Sequence, residues 1–132
     1  MPDIERINPD TLPDAAAMGY SQVTTCTPGK MIFISGQVAW TPGGDPAPDN
    51  LAEQAKMASS NLGKALASAG AGPENIVSAR AFIVDYTEEK GAEAFPEILA
   101  SLGGNQVAFT LIGCAALASP DLMIEIEAIA VV

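Results

Sequence analysis

Histidine is absent from the 132 residues. Its absence removes a Ser-His-Asp triad, a histidine general base and most zinc-site designs. Positive charge is scarce as well: six Lys and Arg stand against sixteen Asp and Glu, a net charge of −10. Nucleic-acid affinity rests mainly on cations that displace phosphate counterions. Arg6, Lys30, Lys56, Lys64, Arg80 and Lys90 are scattered along the chain, so no nucleic-acid partner is expected. Only two cysteines occur, Cys26 and Cys114, without CxxC spacing; the plain expectation is two buried thiols in a reducing compartment rather than a disulfide. No apolar run is long enough to span a bilayer, and "MPDIERINPD" lacks the basic and apolar regions of a signal peptide. No membrane partner and a cytoplasmic location are therefore expected.

What is present fits one domain, residues 1–132, with one core. Apolar residues make up 48% and charged residues only 17%. With so little polar surface, the chain is expected to cover part of itself with further copies.

"IERI" reads as a first strand and "TLPDAAAMG" as a loop. "YSQVTTC", "TPGK" and "MIFISGQV" read as strand, turn and strand, because β-branched and aromatic residues flank a Pro-Gly pair. "AWTPGGDPAPDN" is a loop whose Asp49 or Asn50 can cap a helix. From Leu51 to about Ala69, apolar residues recur at steps of three and four, giving a helix with an alanine-rich stripe. "IVSARAFIVD" is a further strand. "YTEEKGAEAFPEILASLGG" reads as a second helix capped by Thr87, with Pro96 as an awkward interior residue. "QVAFTLIGCAAL" and "LMIEIEAIAVV" close the chain as strands. The order implies an α+β fold, a mixed sheet with both helices on one face. Its other face would be bare, which asks for a partner.

The last strand, "IEIEAIAVV", alternates strictly, so Glu125 and Glu127 share the face opposite Ile124 and Ile126. Either that face meets water or one carboxylate has a task. A carboxylate can place a water and accept its proton.

"GYSQV", "FISGQV", "NIVSARAFIVD" and "IEIEAIAVV" resemble, in order and spacing, motifs of the RidA family, also called YjgF or L-PSP. The resemblance covers nearly the whole chain. It implies a chorismate-mutase-like subunit that forms a homotrimer around a central barrel, with clefts between adjacent subunits. It also implies hydrolysis of enamines or imines with release of ammonia, and no cofactor or metal. Carried over residue by residue, it gives Glu125 as the catalytic carboxylate, with Tyr20, Ser35, Gly36 and Thr110 among the residues that bind a small-molecule ligand. The plain alternatives are solvated glutamates, a packing tyrosine, a glycine bulge and an ordinary strand threonine.

One departure stands out. The family's carboxylate-gripping arginine falls at Phe109 in "VAFT", and no Arg or Lys follows Lys90. An aromatic ring cannot replace a bidentate Arg–carboxylate contact. A small neutral or apolar substrate is therefore expected, with Phe109 lining its site, and a non-catalytic binding trimer is the alternative. Arg80 is expected to pair with a glutamate rather than anchor a ligand. Trp40 reads as either a lid or an intersubunit contact.

Overall fold

Alternation along the last strand separates the two sides of the molecule. The structure, a computed structural model, describes residues 2–132. Six strands and two helices follow in the order β1 (Ile4–Ile7), β2 (Val23–Cys26), β3 (Met31–Gln37), α1 (Leu51–Ser68), β4 (Ile76–Val84), α2 (Glu88–Ser101), β5 (Ala108–Cys114) and β6 (Ile124–Val131). On β6, Ile124, Ile126, Ala128 and Ala130 are buried, while Glu125, Glu127 and Ile129 are only half-buried. The buried set lies under the helices, in one cluster with Ala55, Ala58, Leu62 and Leu66 of α1 and with Ala94 and Ile98 of α2. Alanines on α1 let the helix lie close to the sheet, and the fully buried Leu62 and Leu66 each contribute about 1.5–3 kcal/mol of apolar burial.

Both helix starts are capped as the sequence predicts. Asn50 accepts a hydrogen bond from the Glu53 N–H, and Thr87 from the Lys90 N–H. Pro96 does not break α2. It sits on the exposed side, as does Ala92, whose carbonyl loses its partner to the proline and can turn to water. The stretch read as a loop before β2 contains one 3-10 turn, Ala16–Met18.

The main sheet has the order β3-β6-β4-β5, with β4 and β5 parallel and the other pairs antiparallel. Crossing from β4 to a parallel neighbour needs a long connection, which α2 supplies. β1 and β2 form a separate antiparallel ribbon. The "TPGK" turn thus carries the chain from one sheet to the other: β2 pairs with β1, and β3 with β6. Arg6 fastens the ribbon by donating from Nη1 to the Ile76 carbonyl at 3.1 Å.

No helix covers the opposite face of the main sheet. It presents Met31 and Phe33 of β3, Glu125, Glu127 and Ile129 of β6, Arg80 and Phe82 of β4, and Thr110 of β5. Phe33 is 73% exposed, on an edge strand that offers unpaired backbone groups. The expected pair of buried thiols is not found. Cys26 is exposed and Cys114 half-buried, and both are free, because Cys26 ends the thin ribbon and Cys114 lies on the open face. Among the described residues no helix is long and apolar enough to cross a membrane.

Candidate functional site

A bulge in β3 builds the first part of the site. Pairing with β6 runs regularly from Met31 to Ile34, then slips so that Gln37 faces Ile126. The extra residue bends the edge strand at Ser35 and Gly36. The Glu125 side chain folds against Gly36 so closely that a Cβ there would overlap its carboxylate. The glycine of "SGQ" is thus required by the glutamate of "IEIE", a link that neither stretch shows alone.

The second part lies at the far edge of the same sheet. Tyr20, Ser21, Gln22, Ser78, Arg80, Ala108, Phe109, Thr110 and Ile129 line an open cleft of about 400 Å³. Ser21 secures the wall: its N–H donates to the Val107 carbonyl at 2.8 Å, and its hydroxyl to the Gln106 carbonyl at 2.5 Å. Thr110 is exposed and lies opposite Arg80 on the open face. Phe109 pairs with the buried Ala79 and packs against the core beside Phe95 and Leu99, so only part of it borders the cleft. The position that presents a side chain to the open face is therefore Thr110.

Arg80 was not expected here. Sequence reasoning supported only a pairing with a glutamate, away from any ligand. The register between β4 and β5 puts it beside Thr110 instead. The expected pairing with a glutamate is present, within the same chain: Nε meets the Glu127 Oε1 at 2.7 Å across β4 and β6. The signal that could have placed Arg80 is strand register, which depends on which strands are neighbours.

Glu125 does not line the Tyr20 cleft. With strands about 4.8 Å apart, β5 and β6 lie roughly 10 Å from one another across β4. One copy thus gathers Tyr20, Phe109 and Thr110 in one place and Ser35, Gly36 and Glu125 in another. Trp40 is 46% exposed and borders a separate hollow with Thr41, Asp45 and Asp121.

Cys114 reports on the Glu125 end of the face. Burial first, then the Glu125 carboxylate, then Asp85, pushes its thiol above the usual value. The thiolate is the reactive form, so a raised pKa slows alkylation at neutral pH. Iodoacetamide should modify Cys26 ahead of Cys114, and Glu125→Gln should speed modification at Cys114 while leaving Cys26 alone. Mass spectrometry of the labelled peptides checks this; an unchanged Cys114 rate would separate the two groups. Among the described residues, no cluster of three or more His, Cys, Asp or Glu is arranged to hold a metal ion.

The fold has known relatives. The family model described as Endoribonuclease L-PSP matches residues 11–132. The Rid-family protein YyfB of Yersinia pestis, a protein of unknown function, is 34% identical, with 98% of each chain covered and a TM-score of 0.91. TdcF of Escherichia coli, solved with serine bound, is 26% identical over 86% of this chain and 87% of its own, at a TM-score of 0.67. Rv2704 of Mycobacterium tuberculosis, a YjgF/YER057c/UK114 family member at 24% identity, shares the fold with a TM-score of 0.66 over 98% of this chain and the whole of its own. No functionally curated protein matches by sequence. Two helices on one face of a mixed sheet are the chorismate-mutase-like arrangement expected from the motifs, and with a family model spanning all but the first ten residues, the chain belongs to the L-PSP family, the YjgF/RidA proteins.

Proposed function

We propose that the chain works as a homotrimer, with its clefts between adjacent copies, and hydrolyses small imines or enamines without a cofactor. The observation that carries this reading is the separation of the site residues on one uncovered face. A neighbouring copy laid on that face would bring its Glu125 towards this copy's Tyr20 and Thr110. The exposed Met31 and Phe33 on the β3 edge supply the apolar surface such a contact needs.

The chemistry follows from the residues. Glu125 accepts a proton from a water as that water attacks the imine carbon, giving a carbinolamine. The proton passes to the nitrogen, Glu125 takes the hydroxyl proton as the C–N bond breaks, and ammonia leaves behind a carbonyl product. Tyr20 and Thr110 hydrogen-bond the substrate, and Phe109 forms part of the apolar wall. The open cleft of about 400 Å³ has room for a small molecule, and the relative TdcF was solved with one, serine, bound. With Arg80 already paired to Glu127, the preferred substrate is neutral rather than carboxylated. A cytoplasmic location suits this chemistry.

The ribonuclease activity in the family's description is not carried over to this chain. A net charge of −10 repels a polyanion. The second reading is a binding trimer that holds a small molecule without transforming it, favoured by the missing arginine at the Phe109–Thr110 stretch.

A flavin amine oxidase that releases imines from small amines separates the two readings. Added protein should accelerate ammonia and carbonyl formation beyond spontaneous hydrolysis. No acceleration with any amine, together with a thermal shift by a small carbonyl compound, would support the binding reading and end the enzymatic one.

A further inference from the structure

Arg80 and Glu127 lie within "NIVSARAFIVD" and "IEIEAIAVV", yet the motif resemblance gives neither a role in the cleft. A guanidinium has five N–H donors, and one carboxylate can occupy at most two of them. Glu127 takes Nε of Arg80 at 2.7 Å, which leaves donors over in a cleft also lined by Ser78, Thr110 and Tyr20. Hydrogen-bonding capacity is present there, but net positive charge is not.

We infer that the Arg80–Glu127 pair is a charge filter: the cleft takes a neutral, carbonyl-bearing substrate of the amide type and disfavours its carboxylate counterpart. A neutral carbonyl accepts the spare guanidinium and hydroxyl hydrogen bonds without adding charge. A carboxylate would meet one cation already balanced by an anion, inside a protein of net charge −10, so like-charge repulsion from Glu127 offsets what Arg80 offers. Arg80 is then the substrate's hydrogen-bond partner, and Glu127 sets both its direction and its charge. The inference rests on the cleft being the substrate site, as proposed above.

Pyruvamide and pyruvate, nearly equal in size and different in charge, are suitable probes for calorimetric titration of the wild-type protein, Glu127→Gln and Arg80→Gln. The wild type should bind pyruvamide about tenfold more tightly than pyruvate. The margin should narrow as salt screens the repulsion. Glu127→Gln keeps an oxygen for Nε and removes the charge, so it should abolish or invert the preference. Arg80→Gln should weaken pyruvamide binding about fivefold or more. A wild-type preference for pyruvate overturns the inference, as does an unchanged ratio in Glu127→Gln or no binding of either probe. If Glu127→Gln does not fold, the wild-type ratio and its salt dependence still decide. Binding needs no turnover, so a protein that selects pyruvamide yet hydrolyses no imine removes the enzymatic reading alone.

Discussion

Glu125→Gln should lower imine hydrolysis by about a hundredfold to ten-thousandfold, the usual range for losing a positioned general base. The amide has the same shape as the carboxylate and can still hold a water, but it cannot take the proton. Steady-state rates, set against unchanged far-ultraviolet circular dichroism, check this; unchanged turnover would remove Glu125 from the mechanism. Gly36→Ala attacks the same group from the other side. A Cβ at that position overlaps the Glu125 carboxylate, so the side chain must swing away, and a comparable loss of rate is expected without any change in the glutamate itself. If Gly36→Ala keeps full activity, the folded-over position of Glu125 has no part in catalysis.

Gln54→Leu should cost about 3 kcal/mol of stability, one of the larger effects a single substitution can have. Gln54 is fully buried on the core side of α1. Its amide nitrogen donates to the Pro48 carbonyl at 2.6 Å and to the Asp121 carbonyl at 2.8 Å. Its Oε1 accepts the Met123 N–H at 2.9 Å. One side chain therefore ties the loop before α1 to the turn that feeds β6. Leucine fills the space and leaves two carbonyls and an N–H without partners. Urea unfolding at fixed protein concentration should show a lower midpoint with the same slope. A loss under about 1 kcal/mol would mean that the loop and turn are held by other contacts.

Gln54 also marks the limit of reading this sequence. Periodicity counts apolar residues, so a buried amide in the α1 stripe passes as a surface residue until its three partners, far apart in sequence, are in place. Local signals were legible where the cause is local. The Asn50 and Thr87 caps act within three residues, and the β6 alternation sorts Ile126 from Glu127 without reference to any neighbour. Strand neighbours were not legible, because the parallel pairing of β4 and β5 is set by packing across the fold. The same gap kept Arg80 out of the expected cleft, where it lies beside Thr110. Tyr20 and Gly36 stood out only through motif resemblance, and Glu125 through the β6 alternation as well; the contact between Gly36 and Glu125 needed the β3 bulge to be seen.

Sedimentation equilibrium at micromolar concentration tests the central claim most directly, that the site is completed by a second copy on the uncovered sheet face. Three copies of a 13.5 kDa chain should give a mass of about 40 kDa, and Phe33→Glu, which places a charge on the exposed edge, should lower it. A wild-type mass of a single chain would contradict the account, since one copy alone holds Glu125 and the Tyr20 cleft apart.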